Sequence, residues 1–171
     1  NHRHVPYIRL HLPVRSGSSS GKSRIQTHCH PEAAAARHAD ILLFLGDGER
    51  DLEEITEGFN GEVYAVRGNC DIRGLYPEER VIEIQGKRIF MCHGHRYGVK
   101  YGYNSIFYRA KELDVDIVLF GHSHIPIIEE CDGIILMNPG SVSLGMSSPS
   151  KTLGYIDLIE DKEPILYIKE V

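Results

Sequence analysis

The stretch 116-DIVLFGHSHIPI-127 carries four apolar residues, Ile117 to Phe120, through Gly121 into His122 and His124. A strand-length apolar run of this kind reads as the buried centre of a sheet, and the glycine lets the chain turn sharply where the sheet stops. The two histidines then stand at a sheet edge. In open α/β sheets the edge at the carboxyl ends of the strands is where ligands and catalytic groups collect. Two imidazoles at i and i+2 can converge on one small object, although a polar turn whose histidines cap backbone groups has the same spelling.

The same grammar recurs along the chain. ILLFLGD ends an apolar run in Gly46 and Asp47, VYAVRGN ends in Gly68 and Asn69, and RIFMCHGH ends in His93, Gly94 and His95. Four strand-like runs that each deliver Asp, Asn or His beside a glycine exceed what turn chemistry alone explains, and together they read as one site.

Length and composition set the frame. The 171 residues suit one domain over 1–171 with a sizeable core, and 42% hydrophobic with 25% charged residues is ordinary for a globular protein. The longest apolar runs fall far short of the roughly 18 residues that span a membrane, so no membrane partner is expected. A formal net charge of −5 and the lack of a basic stripe argue against dedicated nucleic-acid binding. Cys29, Cys70, Cys92 and Cys131 form neither a CxxC pair nor a compact disulfide framework, which implies a reduced, cytoplasmic setting.

Residues 1–38 and 39–171 differ in character. No acidic residue precedes Glu32, while Arg3, Arg9, Arg15, Lys22 and Arg24 make the first segment basic, and RSGSSSGKS is low in complexity. Such a start fits a transit peptide, a disordered or tag-derived segment, or a misread N-terminus. Within it YIRLHLPV has the look of a strand. GSSSGKS invites a phosphate-loop reading that fails on spacing, because Gly17 and Gly21 enclose three residues where the motif needs four.

From Ala39 onward the elements are regular. Strands are expected over 40–45, 62–66 and 115–120, and helices over 49–57 and 105–113, the first acidic at its start as its dipole favours. Residues 80–84 and 88–92 are expected to pair as a hairpin across Gln85 and Gly86, 125–129 and 134–138 around Asp132 and Gly133, and 155–159 with 165–169 as a third. Strand–helix alternation early and hairpins late predict two packed sheets flanked by helices.

Asp47, Asn69, His93, His122 and His124 offer oxygen and imidazole ligands without a thiolate, a mixture that suits Mn²⁺, Fe, Zn²⁺ or Ni²⁺. Five groups exceed one tetrahedral shell, while a carboxylate such as Asp47 can bridge two ions about 3.5–4 Å apart. A two-metal site makes hydroxide from water at neutral pH and clamps the attacking and leaving oxygens of a displacement at phosphorus, so phosphoester hydrolysis is the natural reaction.

LGDGERD, VRGNCD, CHGH, GHSH and NPGS, in this order and at these separations, resemble the calcineurin-like metallophosphoesterase family, and most of all its small single-domain bacterial and archaeal phosphodiesterases. The resemblance covers about residues 39–171. It implies a four-layer α/β/β/α sandwich of two mixed sheets and a dinuclear site. On it, Asp47 is the bridging carboxylate, Asn69, His93 and His122 complete one metal's shell, and His124 serves the other metal. Asn69, Cys70, Asp71 and His95 fall at catalytic positions, with Asp71 orienting the loop and His95 and Arg67 near substrate phosphate.

Two departures stand out. The family's first Asp-x-His is missing before Asp47, and His28 and His30 of THCHPE take the nearest positions, which leaves the second metal site incomplete. Cys70 replaces the histidine that many members carry. A thiol with an ordinary pKa near 8.5 is a weaker proton donor at neutral pH than imidazolium, so esters with good leaving groups are expected. The expected partner is a small phosphoester substrate, with a homodimer reasonable from exposed hairpin edges. The competing reading is a scaffold, since the small retromer subunit resembles this family in fold yet acts chiefly by binding proteins.

Overall fold

A computed structural model describes residues 6–12, 39–143 and 150–171. Its organisation follows from how the apolar runs divide their side chains. In the run 41–45, Ile41, Leu43 and Leu45 enter one cluster, while Leu42 and Phe44 enter another. Ile89 and Met91 part in the same way from Phe90 and Cys92, and Ile117 and Leu119 from Val118 and Phe120. Successive strand residues face opposite sides, so an unbroken apolar run needs cover on both faces.

Among the described residues that cover comes from two five-stranded sheets and two α-helices. In chain order the strands are β1 (Tyr7–His11), β2 (Ile41–Phe44), β3 (Glu62–Ala65), β4 (Glu79–Ile84), β5 (Lys87–Cys92), β6 (Ile117–Leu119), β7 (Ile127–Cys131), β8 (Ile134–Asn138), β9 (Thr152–Asp157) and β10 (Ile165–Glu170). One sheet runs β10-β9-β1-β2-β3 and the other β4-β5-β6-β8-β7. Both are mixed: β2 and β3 are parallel, as are β5, β6 and β8, whereas β1 runs antiparallel to β2 and parallel to β9.

Between the sheets lies the cluster containing Ile8, Leu43, Ile89, Met91, Leu119 and Met137. Each such side chain contributes roughly 1.5–3 kcal/mol by leaving water, which makes this layer the main term holding the sheets face to face. On the outer face of the first sheet, the helix Glu49–Ile55 packs Leu52 and Ile55 with Leu42 and Phe44. On the outer face of the second, the helix Asn104–Leu113 packs Ile106 and Ala110 with Phe90, Val118 and Phe120. Helix, sheet, sheet and helix give the expected four layers.

The hairpins turn where the sequence places them. Gln85 and Gly86 have φ of 51° and 72°, and Asp132 and Gly133 have 49° and 77°. Positive φ at both central residues is the type I′ pattern that matches strand twist. β7 starts at Ile127 rather than Ile125, after Pro126, which has no N–H to give a ladder. No helix among the described residues is long and apolar enough to cross a membrane. Residues 13–38, including GSSSGKS, His28 and His30, lie outside the described residues.

Candidate metal centre

Parallel pairing delivers the exits of β2 and β3 to one edge of the first sheet, and those of β5, β6 and β8 to one edge of the second. Asp47 follows β2, the Gly68 to Asp71 turn follows β3, His93 and His95 follow β5, and His122 and His124 follow β6.

Asp47, His93 and His122 come together, with one potential ligand atom from each lying within 4.8 Å of the others. His93 Nε2 stands 3.0 Å from Asp47 Oδ2 and 3.1 Å from His122 Nδ1. The other ring nitrogen, Nδ1, is 2.7 Å from the carbonyl oxygen of Leu45. A carbonyl only accepts, so Nδ1 carries a proton and donates it. In neutral His93, Nε2 is then a bare lone pair aimed at a carboxylate, and two acceptors at 3.0 Å repel. Only a positive charge between them resolves the contact, either a proton on Nε2 or a metal ion. The donor set therefore fits a divalent ion, and the Leu45 carbonyl fixes the tautomer that would bind it.

The electrostatics agree. Burial raises the Asp47 carboxyl, but the hydrogen bond and charge of His93 and the Cys70 N–H more than reverse this and hold it at about 2. Burial lowers the His122 imidazole to about 4, helped by the neighbouring charges of His93 and Lys100. Both groups are thus proton-free at neutral pH, the form in which they ligate.

Backbone geometry sets these side chains in place. Asp47, His122 and His124 have φ of 64°, 63° and 58°, a region that side chains other than glycine rarely occupy. Such conformations collect at functional sites, where the surroundings hold them. At Gly46 and Gly68 two loops meet backbone to backbone. A Cβ on Gly46 would lie 2.5 Å from Gly68 N, and one on Gly68 would lie 2.0 Å from Asp47 Oδ1.

Asp71 ties the two loops together. Its Oδ2 accepts the N–H groups of Asp47 and Gly68, each at 2.8 Å, and its Oδ1 those of Gly48 at 2.8 Å and Glu49 at 3.1 Å. Gly48 has no side chain with which to cap the helix Glu49–Ile55, so Asp71 satisfies the first N–H groups from a distance and sets a negative charge at the positive helix end.

The remaining sequence candidates distribute as follows. Asn69 and Cys70 are exposed beside Asp47: Cys70 N donates to Asp47 Oδ1 at 2.8 Å, and Asn69 Nδ2 lies 3.5 Å from Cys70 Sγ. Cys92 is a buried free thiol and Cys131 an exposed one. His95 is half-buried, with its ring centroid 5.5 Å from that of His93 and 6.1 Å from that of His122, and burial lowers its pKa. His124 is outside the converging trio. Arg67 donates to Glu78 at 2.7 Å, and Arg96 bonds the same carboxylate. The Leu45 carbonyl and Glu49, whose buried carboxylate accepts Leu75 N–H at 3.1 Å, escape sequence reasoning. A carbonyl is common to every residue type, and a helix-start glutamate reads as dipole compensation.

Comparison with known proteins gives the family. Residues 22–161 match the model of the calcineurin-like phosphoesterase superfamily domain, a match that begins ahead of residue 39, where the motifs start. The chain is 33% identical over 138 residues to the probable metallophosphoesterase YsnB of Bacillus subtilis, covering 80% of each. To the phosphodiesterase YfcE of Escherichia coli it is 30% identical over 150 residues, covering 74% of this chain and 77% of the relative. In fold it is similar to wild-type Vps29 of Entamoeba histolytica, solved with Zn²⁺, with a TM-score of 0.67 at 20% identity over 96% of this chain and 98% of that one. The family uses divalent metals. The chain belongs to the calcineurin-like phosphoesterase superfamily.

Proposed function

We propose that the chain is a metal-dependent phosphodiesterase acting on a small phosphoester. The observation that carries this is the contact of His93 Nε2 with the Asp47 carboxylate and His122 Nδ1, at 3.0 and 3.1 Å, while Nδ1 is committed to the Leu45 carbonyl. Asp47, His93 and His122 would hold the first ion, joined by Asn69. His124 would serve a second ion, together with His28 and His30. A divalent ion supplies Lewis acidity at the phosphoryl group and makes water acidic enough to ionise near neutral pH. The chain's own residues orient the reactants. Asp71 fixes the Asp47 loop, and His95 stands beside the ligand pair, where it can contact phosphate oxygen.

Cys70 would stand where many members carry the histidine that protonates the leaving group, and a thiol of ordinary pKa is a weaker acid than imidazolium. Rates should therefore fall steeply along a series of aryl phosphates as leaving-group pKa rises. Replacing Asp47 with Asn tests the reading itself: hydrolysis of bis(p-nitrophenyl) phosphate is lost while the circular dichroism spectrum stays native. Retention of the wild-type rate would exclude this site.

The likeness in fold to Vps29, with the missing first Asp-x-His, favours one alternative, a scaffold that binds proteins. It predicts no metal-dependent turnover from a correctly folded chain.

A further inference from the structure

His122 sits at the centre of a three-residue turn, for Ser123 N–H donates to the Gly121 carbonyl at 2.7 Å and His122 has φ of 63°. An i to i+2 bond around a residue of positive φ is the γ-turn of the rare, strained kind. Left to itself, a residue with a Cβ relaxes out of it.

What restrains this turn comes from another strand. Asn138, the last residue of β8, is fully buried. Its amide nitrogen lies 2.8 Å from the Gly121 carbonyl and 2.9 Å from Ser123 Oγ, and its amide oxygen accepts Gly140 N–H at 2.9 Å. The last contact settles which way the amide points, since a backbone N–H can only donate and must face oxygen. One amide thus grips the residue before His122 and the residue after it, with Ser123 also buried. The turn is tied to the neighbouring exit as well, because Gly121 N–H donates to the His93 carbonyl at 3.0 Å.

The geometry points to Asn138 as a positioning residue for the metal centre: by straddling His122 it holds the strained turn that aims the imidazole at His93 and Asp47. The inference rests on the metal reading above and assigns the NPGS asparagine a role beyond closing a turn. Asparagine suits this task because it donates on one side and accepts on the other. Asn138→Asp keeps the acceptor for Gly140 but sets an oxygen against the Gly121 carbonyl, so the grip fails with little change in volume.

The test compares wild type, Asn138→Asp, Ser123→Ala and Leu136→Ala. Leu136 is a buried β8 residue that packs in the outer cluster and provides a purely structural loss. Zn²⁺ affinity by chelator competition and the His93–His122 cross-ring NOE in the metal-free protein are read beside the melting temperature. Asn138→Asp should weaken Zn²⁺ binding about 10- to 100-fold, the usual range for a lost support of a metal ligand, and should abolish the NOE. Ser123→Ala should shift both readouts in the same direction by less. Leu136→Ala should lower the melting temperature while keeping both. A retained NOE in Asn138→Asp, or an equal loss in Leu136→Ala at matched melting temperature, would overturn the inference. A wild type that shows the NOE but binds no Zn²⁺ would instead refute the metal reading, with the NOE in Asn138→Asp still deciding the positioning role.

Discussion

Asp71→Asn is the perturbation whose cost the structure specifies most fully. The carboxylate accepts four backbone N–H groups, two on each oxygen. An amide replaces one oxygen with NH₂, and whichever way it is oriented a donor then faces two donors. Two bonds are lost outright. A hydrogen bond to a charged group contributes about 1.5–3 kcal/mol, so the two together account for roughly 3–6 kcal/mol. Local relaxation recovers part of this, and the loss to expect is about 3 kcal/mol, a large share of the 5–15 kcal/mol that holds a typical domain together. In a domain of this size that loss lowers the melting temperature by about 6–12 °C. Urea denaturation of both proteins at neutral pH, with midpoints and slopes compared, gives the difference directly. A loss below about 1 kcal/mol would refute the view that this carboxylate holds the β2 and β3 exits together.

Other consequences follow from the same loops. Gly68→Ala places a Cβ on the Asp47 carboxylate and should weaken divalent-metal binding at least about 10-fold, read by chelator competition; unchanged affinity would show that the carboxylate has room to move. Acid should destabilise the metal-free protein through His122, which is protonated near 6.5 when unfolded but only at about 4 when folded. The unfolded chain binds more protons between those values, so stability is full above the upper one and falls as pH drops towards the lower. Asp47, held at about 2 against an ordinary 3.8, extends the loss to still lower pH. In urea titrations across the upper window, His122→Asn should show a shallower pH slope than wild type, and identical slopes would contradict the assignment.

Much of this was legible in the sequence because the signals coincide. Apolar runs at 41–45, 89–92 and 117–120 need cover on both faces, which dictates two sheets with helices outside, and each run stops at a glycine beside an oxygen or nitrogen ligand. The Asp47, His93 and His122 trio could be named for that reason. The place of β1 was less accessible. Its sequence reads as a strand, but Arg9 in mid-strand argues against the centre of a sheet. The structure seats it there with its guanidinium 5.2 Å over the Tyr155 ring, a cation–π contact with a residue far along the chain. The Leu45 carbonyl and the Asn138 grip share that character. Each is a contact between elements distant in sequence, and even the NPGS motif that holds Asn138 does not say what its amide grips.

We propose that Asp47, His93 and His122 together hold a metal that drives phosphoester hydrolysis. Hydrolysis of bis(p-nitrophenyl) phosphate by metal-stripped protein, with and without added Mn²⁺, tests it most directly. Turnover should be negligible without metal and restored by Mn²⁺ in wild type but not in Asp47→Asn. Folded protein that stays inactive with every divalent ion supplied would contradict it and favour the scaffold reading.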